Sequence, residues 1–245
     1  MLQSRYKVCE LFGIPVYVNL SFAFLLLLFV LDFGSFSFGL AAALTLAVSV
    51  TLHELGHALT ARAFGYRTND ITLSLLGGCA SLIALPRKGW QEFLTAAAGP
   101  FVSFMIAGAV LLLDVLGIPV RNAWLREVLL YAFWMNVMLG CFNLLPGFPM
   151  DGGRIFRSAM MLFMTRPTAT LVAMWVGRVF AILLGLRGLW SMVNHGSWGF
   201  ISILIAWMIW KEGYREYLQA CRDEDFRKWS QADFDARVSP PPYER

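Results

Sequence analysis

Charge is scarce in this sequence. Asp, Glu, Lys and Arg make up 15% of its 245 residues, against about 25% in an ordinary soluble domain. Together with 58% hydrophobic residues and a mean hydropathy of +0.61, the shortage excludes an ordinary soluble enzyme and a disordered chain. Cysteine is sparse too. Cys9, Cys79, Cys141 and Cys221 lie far apart and form no CxxC pair, so no disulfide framework is implied. They read as small apolar fillers. No block of Lys or Arg stands behind the net charge of +4, which argues against nucleic acid as a partner. No small-residue cleavage site follows the first apolar run, so that run is expected to stay as an uncleaved span. No internal repeat is visible. What remains is a polytopic membrane domain, with the lipid bilayer as its first partner.

Apolar runs cover residues 15–30, 40–61, 93–113, 128–145, 169–189 and 199–210. They predict an all-α polytopic membrane protein of about six transmembrane helices. The last run is short for a span. Arg5, Lys7, Arg62, Arg67, Arg87, Lys88, Arg154, Arg157, Arg166, Lys211 and Arg215 fall in the termini and alternate loops. By the positive-inside rule both termini are cytoplasmic, in a multi-pass protein of the cell membrane. Residues 70–85 hold two β-prone stretches around Gly77-Gly78, which predicts a small membrane-associated β-hairpin turning at the glycines. Residues 1–213 are expected to form the membrane domain. Residues 214–245, mixed in charge and ending in SPPPYER, are expected to form a cytoplasmic tail, a short helix followed by disorder.

Ionisable residues inside a span are costly and point to function. The second run ends in TLHELGHALT. His53 and His57 are four residues apart, about 40° around a helix, so both imidazoles reach one ion. Glu54 is offset by about 100° and suits a role on water rather than on the metal. This is the HExxH arrangement of zinc hydrolases. The chain has three histidines in all, and two are here. A catalytic zinc site wants a third protein ligand. His195 falls in a loop predicted on the opposite side of the membrane and reads as a surface histidine. Asp151 is the better choice: it follows Pro146 and Pro149, which break the fourth span, and precedes Gly152-Gly153. Asn143 stands beside that break and is the residue placed to reach substrate. Asn136, on the same helix face, reads as glue between helices. Arg178 lies inside the fifth run and needs a carboxylate, a carbonyl or water. Ala98-Gly99-Pro100 reads as a place where helices approach closely.

HELGH at 53–57 together with NLLPGFPMDG at 143–152 resembles the site-2 protease family of intramembrane zinc metalloproteases. That family pairs HExxH on one membrane helix with NxxPxxxxDG on a later one. The likeness runs over about residues 10–213 and is greatest to compact six-span prokaryotic members without PDZ or CBS modules. It implies one zinc ion held by His53, His57 and Asp151, with Glu54 as catalytic acid and base and Asn143 holding substrate or the tetrahedral intermediate. It implies hydrolysis of peptide bonds within or near transmembrane segments of other proteins, as in regulated intramembrane proteolysis. It departs from the family after AGP, where members often carry Asn and this chain has Ser103. Two other readings of the residues stand beside it: a zinc-binding membrane transporter, and a homologue that binds membrane clients without cutting them.

Overall fold

The computed structural model describes residues 5–74, 77–82, 88–195 and 199–238. The chain divides into two compact units, Met1–Leu145 and Pro146–Arg245.

The first unit begins with strands β1 (Arg5–Leu11) and β2 (Ile14–Asn19). Phe12 and Gly13 join them with φ of 52° and 79°. Positive φ at both positions of a two-residue loop is the type I′ arrangement, which matches the strand twist, and glycine supplies one of the two at no steric cost. Helices α1 (Leu20–Asp32) and α2 (Phe36–Ala63) follow, then β3 (Thr68–Ser74) and β4 (Gly77–Leu82), then α3 (Gly89–Val115) and α4 (Ala123–Asn143). The four strands form one sheet in sequence order. β1–β2 and β3–β4 are antiparallel, while β2–β3 is parallel, bridged by α1 and α2. Ile14 and Val16 of β2 and Ile71 and Leu73 of β3 bury their side chains in one core with Phe22, Leu46 and Val50 of the first two helices.

The first apolar run is thus divided. Its β-branched, alternating start forms β2, and the Asn19 side chain accepts a hydrogen bond from the Ser21 amide (3.3 Å) to begin α1. The 13 residues of α1 reach about 20 Å. The hairpin expected at 70–85 is present within a larger sheet, but its glycines are not the turn. Gly77 pairs with Ser74 and Gly78 with Leu73, inside β4. Glycine's local turn preference is weak beside the burial of Ile71 and Leu73, which anchors β3. The connecting residues 75–76, and 83–85 beyond β4, lie outside the described residues.

The second unit holds α5 (Asp151–Met160), α6 (Arg166–His195) and α7 (Gly199–Val238). Helices α6 and α7 pack antiparallel along a row of small residues, with Gly185 beside Ala206 and Gly188 against the Gly199 carbonyl. Absent side chains let helix backbones approach, the usual way that helices associate in lipid. Among the described residues, four helices are long and apolar enough to cross a membrane: α2, α3, α4 and α6. The all-α membrane architecture is as expected; the count of six spans is not reproduced. Helix α1 is too short, and α7 is apolar only in its first part. The remainder of α7 extends well past the short helix expected for the tail. Pairs such as Glu224–Lys228 (3.2 Å) and Glu212–Arg215 (3.0 Å) support it along its surface. Residues 239–245 lie outside the described residues.

Candidate metal centre

HELGH occupies the last turns of α2. The helix stops just beyond, where Gly65 takes φ of 86° and the amides of Phe64, Gly65 and Tyr66 cap carbonyls of Ala61 and Arg62. The motif is therefore rigid helix, not loop. His53 and His57 are both buried, with ring centroids 4.9 Å apart. Glu54, a third of a turn away, is half-buried.

Helix α3 fixes the orientation of both rings. His57 Nδ1 lies 2.7 Å from the Thr95 carbonyl oxygen. A carbonyl only accepts, so Nδ1 carries the proton and, in the neutral ring, Nε2 carries the lone pair. His53 Nδ1 lies 2.9 Å from Ser103 Oγ, which fixes the second ring from the same helix. Both Nε2 atoms converge on Gly99. A Cβ built at Gly99 would overlap His57 Nε2 and stand 2.6 Å from His53 Nε2. The close approach of helices expected at Ala98-Gly99-Pro100 is real: a Cβ at Gly56 of α2 would lie 2.9 Å from the Ala98 carbonyl oxygen, and at Gly99 the pair of imidazoles approaches as well. Two imidazoles with Nδ1 engaged and Nε2 turned to one place are the outer-shell arrangement that ligating histidines show, and they fit zinc.

Asn136 is fully buried on α4 and donates through Nδ2 to Ser49 Oγ of α2 (2.9 Å), the interhelical role expected of it. Asn143, the last residue of α4, donates through Nδ2 to the Leu139 carbonyl (2.9 Å).

In the second unit, Asp151 is buried and opens α5, where a carboxylate complements the positive helix end. The approach runs through a cis Phe148–Pro149 bond, and the Met150 amide donates to the Gly147 carbonyl (3.0 Å). Gly153 lets α5 start against this segment, since a Cβ there would lie 2.7 Å from the Gly147 carbonyl carbon. Arg157 is only 1% exposed and bonds Glu216 Oε2 of α7 (2.9 Å); its guanidinium sits 4.9 Å from the Phe148 ring centroid. Arg154 lies 3.6 Å from the other Glu216 oxygen. His195 is the last residue of α6.

Sequence reasoning did not single out the Thr95 carbonyl or Glu216, and it noted Ser103 only as a departure. The spacing GPxxS on α3 was the available signal for Ser103. A backbone carbonyl has no signal at all.

The model of peptidase family M50 matches residues 41–119 and 115–186, which include the histidine pair, Glu54 and Asp151. The chain belongs to peptidase family M50. This M50 chain is 35% identical over 226 residues to a putative zinc metalloprotease of Synechocystis, covering 85% of the chain and 58% of that protein. It is 36% identical over 196 residues to a zinc metalloprotease of Methanocaldococcus jannaschii, covering 76% and 54% respectively. It thus spans a little over half the length of these curated relatives. The solved site-2 protease from Methanocaldococcus jannaschii superposes with a TM-score of 0.62 at 31% identity, over 87% of this chain and 95% of that one.

Proposed function

We propose that this M50 chain is a zinc metalloprotease that hydrolyses peptide bonds within or near transmembrane segments of other membrane proteins. The observation that carries the reading is the histidine pair: two buried imidazoles, each engaged through Nδ1 by α3, with both Nε2 atoms turned to Gly99 and Glu54 beside them. The relatives' names, the M50 match and the four apolar helices support it.

In this reading His53 and His57 hold zinc through Nε2, and Asp151 is the third ligand. When bound, zinc lowers the pKa of water toward about 7 and polarises a peptide carbonyl. Glu54 takes the proton of the attacking water and delivers it to the leaving amine. Asn143 holds the substrate backbone near the reacting bond. A helical substrate hides each carbonyl in a bond to the amide four residues on, so it must unwind locally before it is cut. Strand β4 is an edge of the sheet, and an extended substrate segment adds to such an edge through its backbone. Residues 1–213 constitute the catalytic membrane domain and 214–245 the tail. Both termini are cytoplasmic, and the enzyme serves regulated intramembrane proteolysis.

Zinc analysis and cleavage of a panel of single-span model substrates by the detergent-purified chain test the proposal. We expect about one zinc per chain, as for a three-ligand site. Cleavage should be lost to a chelator and restored by zinc. Failure to hold zinc after reconstitution would remove the mechanism.

Gly99→Ala is a sharper probe of the site. Its methyl group would occupy the place where both Nε2 atoms point, so zinc content and cleavage should fall to background. Gly108→Ala, on the same helix but with nothing within 4 Å of the added methyl, is the control. It should keep zinc and gain up to about 1 kcal/mol from helix propensity. Equal zinc in the two variants would show that the imidazoles do not bind as described.

A further inference from the structure

The second unit carries a cluster of cations and indoles that peptide hydrolysis does not use. Arg178 of α6 was expected to find a carboxylate, a carbonyl or water. Its Nε is buried without a hydrogen-bond partner, and no carboxylate pairs with Arg178 among the described residues. Its guanidinium carbon instead lies 4.8 Å from the ring centroid of Trp175 and 4.6 Å from that of Trp210. On α7, Lys211 Nζ lies 4.9 Å from the centroid of Trp207, and Lys211 too has no acidic partner among the described residues. Arg178, Trp207, Trp210, Lys211, Tyr214 and Arg215 line an open groove of about 480 Å³.

Indole faces hold a guanidinium without using its N–H donors. The stacked Arg178 therefore keeps its donors for an acceptor, and the groove supplies further donors from Lys211, Tyr214 and Arg215. Three cations face it, and two of them, Arg178 and Lys211, have no acidic partner among the described residues. The neighbouring acid, Glu212, is engaged with Arg215 at 3.0 Å. The occupant that balances this charge is an anion.

Position decides which anion. Lys211 is the first charged residue after the apolar start of α7, and α6 is long and apolar enough to cross the membrane. Trp175 and Trp207 are more than half exposed, at the level where the apolar stretch ends. Tryptophan with adjoining Lys and Arg at that level marks the headgroup layer of a bilayer. Leu204, one turn from Trp207 toward the middle of the apolar stretch, is exposed and extends this face as a surface suited to acyl chains. We infer that the groove binds the headgroup phosphate of an anionic phospholipid, with Arg178 and Lys211 on the phosphate and Trp207 and Trp210 framing it.

Native mass spectrometry of the delipidated full chain in detergent tests this. Phosphatidylglycerol, phosphatidylcholine and inorganic phosphate are the probes. Phosphatidylglycerol should bind at one saturable site in preference to phosphatidylcholine. A hundredfold excess of inorganic phosphate should leave it bound. Arg178→Gln and Lys211→Gln should each weaken phosphatidylglycerol binding by about fivefold, the worth of one cation at a charged lipid surface. Should Arg178→Gln fail to fold, Lys211→Gln and Arg215→Gln carry the test, because both side chains are exposed. Equal binding of the two lipids, or wild-type binding by the Lys211 variant, overturns the assignment. Displacement by inorganic phosphate overturns it too, in favour of a soluble anion.

Discussion

Glu54→Gln is expected to abolish peptide-bond cleavage while leaving the zinc content of the purified chain at its wild-type level. Gln keeps the size and shape of the side chain and removes only its ability to take a proton. In the proposed mechanism Glu54 acts twice, accepting from the attacking water and donating to the leaving amine. Loss of one such group costs roughly 10²–10⁴-fold in rate, so turnover by the variant should fall below detection in an ordinary cleavage assay. The histidine variants should behave differently. His53→Ala and His57→Ala remove a ligand, so zinc and activity should disappear together. The contrast between the two patterns is the test, read by metal analysis beside cleavage. Cleavage at wild-type rate by Glu54→Gln would assign the base elsewhere. Zinc loss in Glu54→Gln would make Glu54 a ligand or a support of the ligands.

The histidine pair was legible from sequence because both residues lie on one helix, where four-residue spacing fixes their relation without knowledge of the fold. What orients them was not. Ser103 and the Thr95 carbonyl reach the imidazoles from α3, across 50 and 38 residues of sequence, and Thr95 contributes an atom that every residue has. The role of Gly99 was half-visible: AGP signalled a close approach of helices but not that the imidazoles turn to it. The apolar pattern conveyed the membrane character, yet it merged β2 with α1, since Ile, Val and Tyr suit a buried strand as well as a lipid-facing helix. The sheet was underestimated for a related reason. Residues 5–11 are almost all exposed in β1, so no alternation marks them, and only pairing with β2 makes them a strand. Glu216 was hidden in a stretch whose composition reads as a solvated tail.

That residue carries the second large effect. Glu216 joins α7 to α5, the helix that Asp151 opens, through Arg157 at 2.9 Å and Arg154 at 3.6 Å. Burial works against ionisation of the Glu216 carboxyl, but the charges of Arg154 and Arg157, the Arg157 hydrogen bond and the charge of Arg166 outweigh it and hold the carboxyl below its ordinary range. Glu216→Ala would strip a partner from Arg157, a side chain only 1% exposed. Breaking such a pair from one side costs about 3–5 kcal/mol, because the remaining charge stays buried. Contact with the Phe148 ring keeps the expected loss near the lower end. Thermal unfolding in detergent should therefore show a fall of several degrees. Zinc retention should weaken with it if Asp151 is a ligand. The stability that Glu216 contributes is complete above its unfolded pKa of about 4.3 and is lost as the pH falls through the lower folded value. Wild type should thus lose stability over that acid interval, and Glu216→Gln should lose less. Replacing both partners by apolar residues, Arg157→Met with Glu216→Leu, removes the buried charge as well as its partner and should recover much of the loss. Unchanged unfolding in Glu216→Ala would mean that α5 is held by its packing alone. Failure of the double variant to improve on the single one would mean that the two arginines act through contacts other than Glu216.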